Sequence, residues 1–232
     1  MHLANGATPN STDPRRWGPG TRVLVMAAVP AEREAVLRGL NGDKRFDVLV
    51  AGVGPVAAAA ATARAMATAE YGLVVSAGIG GGFPGRAEVG SLVVANEIVA
   101  ADLGAQTPEG FRSLDELGLG CTRLQVDAGL AHGVAAALRA AGLPADTGPV
   151  LTVSTVTGTA ESAAELAARV PGAAAEAMEG YGVAVAAYAR GVPFLELRAV
   201  SNPVGPRNRA AWRIEAALGA LEAAASALAE VL

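Results

Sequence analysis

Histidine, cysteine and lysine are almost absent from this chain of 232 residues, which has two histidines and one cysteine. Cys121 alone cannot build a disulfide framework, and with His2 and His132 it supplies too few ligands for a zinc site or a histidine-based triad. Lys44 is the sole lysine and follows Asp43 rather than a glycine, which excludes a phosphate loop of the GxxxxGK(S/T) type. Charge is sparse too, at 17% of residues, and Lys plus Arg number 18 against 22 Asp plus Glu, so there is no basic footprint for nucleic acid. Long apolar runs are missing: Val56 to Ala69 is mostly alanine, broken by Thr62 and Arg64, and is too weak to span a bilayer. Residues 1–20 are polar, with no apolar core of an export signal, and read as a disordered tail. These absences imply a cytoplasmic protein with no membrane or nucleic-acid partner, working without metal or cofactor through carboxylates, amides and hydroxyls.

What the chain does have is apolar bulk, 52% of residues with a mean hydropathy of +0.36, enough for a buried core. Short β-branched runs alternate with alanine-rich segments of helical length, the pattern of a mostly parallel sheet covered by helices. Strands are expected at 22–28, 46–51, 73–77, 91–95, 150–153 and 194–200. Helices are expected at 31–40, 56–69, 129–141, 162–169, 180–190 and 212–231, and residues 102–121 read as loops. No linker divides the chain, so residues 21–232 form one α/β domain.

Ligands of open α/β sheets bind at the carboxyl ends of the strands, which makes the junctions after each strand the candidate sites. Gly52-Val-Gly-Pro-Val-Ala57 fits the GxGxxG/A dinucleotide pattern but follows the second strand, so a plain strand-to-helix turn competes with nicotinamide binding. Gly78-Ile-Gly80-Gly81-Gly82 reads as a loop facing a ligand, since consecutive glycines are tolerated where something must come close. Glu32 and Glu34 open the first helix, where a carboxylate suits the helix N-terminus and where pairing with Arg33 is the ordinary alternative. Glu179 lies among small apolar residues, where a carboxylate needs a partner or stays protonated. Asn202 stands before Pro203, a turn signal as well as a candidate polar contact. Arg207 and Arg209 precede Trp212, a grouping suited either to an anionic aromatic ligand or to a solvated helix start.

Taken in order, five junctions resemble the nucleosidase branch of the purine nucleoside phosphorylase superfamily, most closely its futalosine hydrolases. They are Ala-Ala-Val-Pro-Ala-Glu32, Ala-Gly-Val-Gly-Pro-Val-Ala, Ser-Ala-Gly-Ile-Gly-Gly-Gly-Phe83, Ala-Met178-Glu179-Gly and Arg198-Ala-Val-Ser-Asn202. The resemblance runs from Arg22 onward and implies a single-domain, three-layer αβα sandwich around a mixed, mostly parallel sheet. It also implies a homodimer or larger homo-oligomer acting on a purine nucleoside, in menaquinone biosynthesis. Glu32 is then the base on water, Glu179 the acceptor of the ribose hydroxyls, and Met178 a contact to the sugar. Gly80, Gly81, Thr155 and Val156 line the substrate.

At the position of Asn202 the adenosine-type nucleosidases carry aspartate. An asparagine amide donates to N7 and O6 of a 6-oxopurine but cannot deliver a proton, which favours hypoxanthine over adenine as the leaving base. Arg207 and Arg209 are the candidates for the benzoate carboxylate of futalosine and Trp212 for its ring, with Phe83 or Phe111 as substitutes. The rival readings are a methylthioadenosine/S-adenosylhomocysteine or aminodeoxyfutalosine nucleosidase, a phosphorylase using Arg33 and Arg86 for phosphate, and a silent nucleoside-binding protein.

Overall fold

A computed structural model describes residues 20–232, so the expected tail lies, apart from Gly20, outside the described residues. In chain order the elements are β1 (Val23–Ala27), α1 (Pro30–Leu40), β2 (Phe46–Val50), α2 (Pro55–Thr68), β3 (Leu73–Gly82) and β4 (Leu92–Ala100). There follow β5 (Gly104–Thr107), β6 (Gly110–Ser113), β7 (Arg123–Gln125), α3 (Ala128–Ala140), β8 (Ala145–Thr152) and α4 (Ala160–Arg169). The chain closes with β9 (Ala175–Ala177), α5 (Gly180–Tyr188), β10 (Phe194–Pro203) and α6 (Ile214–Val231).

The helix starts follow local chemistry. Pro30 and Pro55 open α1 and α2, where the missing N–H costs nothing. Asp127 and Thr159 cap α3 and α4, accepting from Leu130 N at 2.9 Å and Ser162 N at 3.1 Å. Helix α5 is apolar almost throughout and buried along most of its length, as a helix under a second layer must be.

The central sheet is mixed and mostly parallel. β1 pairs in parallel with β2 and β3, β3 with β10, and β4 and β9 with β8. The antiparallel pairs are β10 with β4, β9 with β3 and β7 with β4. Helices α1, α3 and α6 form one outer layer and α2 with α5 the other, giving the layered α/β architecture. Because β9 bridges β8 to β3 while β10 bridges β3 to β4, this part of the sheet closes on itself.

Three local expectations change. Gly78–Gly82 is not a loop but the end of β3, paired with β10 on one side and β9 on the other. Within 102–121 the strands β5 and β6 form a hairpin, an excursion stabilised by pairing rather than by a readable apolar period. Trp212 lies outside the last helix, extended between a single 3-10 turn at Arg209–Ala211 and the start of α6.

Candidate active site

The carboxyl ends of β1, β3 and β10 converge on a buried cluster of charge. Its centre is Arg198, 1% exposed, and its carboxylates are Glu32, Glu179 and Glu196, none more than 6% exposed. Strand alternation puts Glu196 and Arg198 on one face of β10, and the parallel register sets them beside Ser76 and Gly78 of β3.

Arg198 Nε donates to Glu196 Oε1 at 2.8 Å, while Nη2 donates to Ser76 Oγ at 3.0 Å and lies 3.4 Å from Glu179 Oε2. Glu32 sits on the first turn of α1 and turns back over it. Its Oε2 accepts from Ala28 N at 2.9 Å and Val29 N at 3.2 Å, and its Oε1 from Ile79 N at 2.9 Å. Glu34, the other candidate on this turn, is exposed and paired with Arg33 at 2.6 Å, which singles out Glu32. Gly78 makes the meeting possible: a Cβ there would stand 2.6 Å from Glu32 Oε1 and 2.7 Å from Arg198 Nη1.

The glycine turn ahead of α2 is committed to the same cluster. Gly52 and Gly54 both have positive φ, and Gly54 N donates to Glu179 Oε1 at 3.2 Å. The amide that would meet a dinucleotide pyrophosphate thus serves a carboxylate.

Desolvation dominates the electrostatics. Burial raises the pKa of Glu32 above its ordinary value, against the pull of Arg198 and of the Ile79 and Val29 amides, with the Glu179 charge adding to the rise. Glu196, wholly buried, is pushed up to about 7 by burial, although Arg198 opposes it. Burial works against the charge on Arg198, but the three carboxylates outweigh it and hold the guanidinium protonated.

The remaining expected residues are linked to this end of the sheet by a series of local contacts. A bulge at Ser201 shifts the β3–β10 register, setting Asn202 opposite Gly81. Ser201 Oγ donates to Asn202 Oδ1 at 2.8 Å and the amide nitrogen donates to Pro203 O at 3.0 Å, which leaves one amide hydrogen free. Gly81 pairs with Glu176 of β9, a buried carboxylate that accepts from both N and Oγ1 of Thr157 and pins the loop carrying exposed Thr155 and Val156. Burial raises the pKa of Glu176 while the Thr157 contacts oppose it. Met178, half-buried, lies between Glu176 and Glu179. Arg207 N donates to Gly158 O at 3.0 Å, tying the segment after β10 to that loop, and the guanidinium carbons of Arg207 and Arg209 lie 5.1 and 5.8 Å from the Trp212 ring centroid.

The substitutes for Trp212 are engaged elsewhere. Phe83 is buried in a small apolar cluster with Leu166 and Val204, and Phe111 lies under the Arg169 guanidinium at 3.8 Å. Arg33 is held by Glu34 and Val48 O, and Arg86 reaches Gly172 O, so neither brings positive charge to Glu32.

Sequence reasoning passed over Ser76, Glu196 and Arg198 as functional residues. The available signal was Glu-Leu-Arg inside an apolar strand, two charges that alternation must place together on a buried face.

Comparison with known proteins places the chain in a family. Residues 26–232 match the sequence model of the phosphorylase superfamily. The chain is 54% identical over 230 residues to the futalosine hydrolase of Streptomyces coelicolor, covering 90% of this chain and 96% of that protein. The 5'-methylthioadenosine/S-adenosylhomocysteine nucleosidase of Neisseria meningitidis, in complex with methylthio-immucillin-A, superposes with a TM-score of 0.76 at 22% identity, over 91% of this chain and 98% of that one. The native futalosine hydrolase of Helicobacter pylori superposes with a TM-score of 0.72 at 18% identity, over 91% and 95%. At such identities the solved structures establish the fold.

Proposed function

The chain belongs to the phosphorylase superfamily and, within it, to the futalosine hydrolases, and from that premise we propose that it hydrolyses the N-glycosidic bond of futalosine. The products are hypoxanthine and dehypoxanthine futalosine, and the step serves menaquinone biosynthesis in the cytoplasm. The observation that carries the assignment of roles is the meeting of Glu32 and Glu179, from distant segments, at the guanidinium of Arg198, the one buried arginine among the described residues.

Cleavage of an N-glycosidic bond passes through a sugar with oxocarbenium character. Glu32 takes a proton from water as the oxygen bonds to the anomeric carbon, and burial, by raising its pKa, makes it a stronger base than a free carboxylate. Arg198 and Ser76 orient that water. Glu179 accepts from the ribose hydroxyls and sets negative charge near the developing cation, with Met178 packed on the sugar. The bonding pair of the C–N bond leaves with the base, Asn202 stabilises the departing anion by donating to N7 the amide hydrogen that Pro203 O does not take, and the base gains its proton from solvent to become hypoxanthine. Gly80, Gly81, Thr155 and Val156 line the base. Arg207 and Arg209 hold the distal benzoate carboxylate, with Trp212 against its ring.

Phosphate fits this site poorly. Glu179 and Glu196 already pair with the one guanidinium here and Glu32 stands beside it unpaired, and the field of these buried carboxylates repels an anion. The protein works as a homodimer or larger homo-oligomer, a reading supported by exposed Val50, Val53 and Val56 flanking the Gly54 turn.

The decisive assay incubates purified protein with futalosine, aminodeoxyfutalosine, inosine and methylthioadenosine, each with and without phosphate, and separates the products chromatographically. Hypoxanthine release from futalosine independent of phosphate is expected. Release that requires phosphate, release of adenine alone, or no release overturns the reading.

A further inference from the structure

We propose that Glu196 is a positioning residue for this reaction: by holding Arg198 through Nε it stops the guanidinium from closing onto Glu32 and leaves that carboxylate free for water. The proposal rests on the reading of Glu32 as the base.

Glu196 needs an explanation because it costs stability. It is 0% exposed, inside a strand whose neighbours Phe194, Leu195 and Leu197 are apolar and buried. A carboxylate there gives up its hydration, and an apolar residue of similar volume would often serve the fold as well or better. Its Oε2 is the one buried side-chain oxygen without a hydrogen-bond partner among the described residues. That oxygen lies against Gly180, where a Cβ would stand 1.9 Å away. The carboxylate is thus confined by backbone on one side and by Arg198 on the other.

The donors of Arg198 show what the confinement does. Nε has the shortest contact, 2.8 Å to Glu196, whereas Nη1 has only a long contact of 3.4 Å to Ile79 O. Glu32 Oε1 waits across Gly78, close to Nη1. A guanidinium released from Glu196 gains a carboxylate to pair with, and a direct pair of that kind occupies the carboxylate lone pairs and depresses its pKa. Glu196 therefore keeps the two useful groups adjacent but unpaired. The charged groups facing Glu196 are Arg198 and Glu179; those facing Arg198 are Glu196, Glu179 and Glu32; those facing Glu32 are Arg198 and Glu179.

The test compares Glu196→Gln and Glu196→Leu with the parent enzyme. The glutamate carboxyls are labelled with carbon-13, the Glu32 resonance is assigned by its loss in Glu32→Gln, and its titration is followed without substrate. Glu196→Leu should lower the Glu32 midpoint by about one pH unit and move the acidic limb of kcat down by the same amount, and Glu196→Gln, whose amide oxygen still accepts from Nε, should fall between it and the parent. At neutral pH kcat should fall about threefold as the base weakens, since the rate follows only part of the change in basicity, with KM for futalosine changed less than about twofold. An unchanged Glu32 midpoint overturns the proposal. So does unfolding of both variants, because the charge of Glu196 would then serve the fold itself. The titration needs no turnover, so a parent enzyme inert toward futalosine would overturn the functional reading alone.

Discussion

Two groups of arginines lie at the same end of the sheet and behave in opposite ways. Arg198 is buried among three carboxylates, with every neighbour supplied by a strand or a helix start. Arg207 and Arg209 are exposed, stacked on Trp212, in a segment held by the backbone bonds of Arg207 N to Gly158 O and Arg213 N to Ser201 O. In the interior each charge is expensive to desolvate and its field acts at full strength on its neighbours, so a change there alters chemistry, pH response and stability together. At the rim, water screens the charges, so a change there alters ligand capture and little else.

The largest effect that tests this contrast is the loss of the base. Glu32→Gln keeps the shape of the side chain but removes the proton acceptor, and kcat for futalosine should fall by about 10² to 10⁴ with KM changed only a few-fold. A loss confined to KM would place Glu32 with the binding residues of the rim.

Next in size is the response to pH, in which the interior should move activity and stability in opposite directions. Burial raises the pKa of Glu32, Glu176 and Glu196 above their unfolded value near 4.5, to about 7 for Glu196. Between those limits the folded chain binds more protons than the unfolded one, so stability grows as pH falls from about 7 toward 4.5 and is lost again as pH rises through the folded values. Turnover falls as the pH falls toward the raised pKa of Glu32, because the base becomes protonated. Melting temperature should therefore rise from pH 7 to pH 5 while kcat declines. A parallel fall of both would mean that the buried carboxylates are stabilised as anions.

The same contrast explains what was legible in the sequence. Glu32 could be placed because a strand, a proline at the first helical position and a carboxylate within the first turn follow one another in the chain. Arg198 and Glu196 lie on a strand that reads as core, and their roles emerge only when β3, α1 and the start of α5 are brought alongside. Strand β9 is Ala-Glu-Ala, with no β-branched residue to announce it, and it exists because β3 and β8 flank it. Gly78–Gly82 misled for a related reason. Glycine is a poor strand former, yet here it is required by what crosses the strand: a Cβ on Gly82 would stand 2.1 Å from Ala87 O. The closure of the sheet through β3 and β10 joins residues more than a hundred positions apart, and no local period reports it.

The smallest expected effect belongs to the rim and is the sharpest check on its independence. A charge-assisted bond to a carboxylate contributes about 1.5 to 3 kcal/mol, and exposure brings an arginine at this rim toward the lower end. Arg207→Ala combined with Arg209→Ala should raise KM for futalosine about tenfold, which is about 1.4 kcal/mol of binding. The value of kcat, the melting temperature and the acidic limb of the pH profile should stay where they are, because no contact of either guanidinium reaches the interior cluster. Inosine lacks the benzoate, so any inosine turnover should be indifferent to both substitutions. An unchanged KM for futalosine removes the rim from benzoate recognition. Equal losses on futalosine and inosine would instead show that the segment holds the Thr155–Gly158 loop in place, and that the two regions are mechanically one.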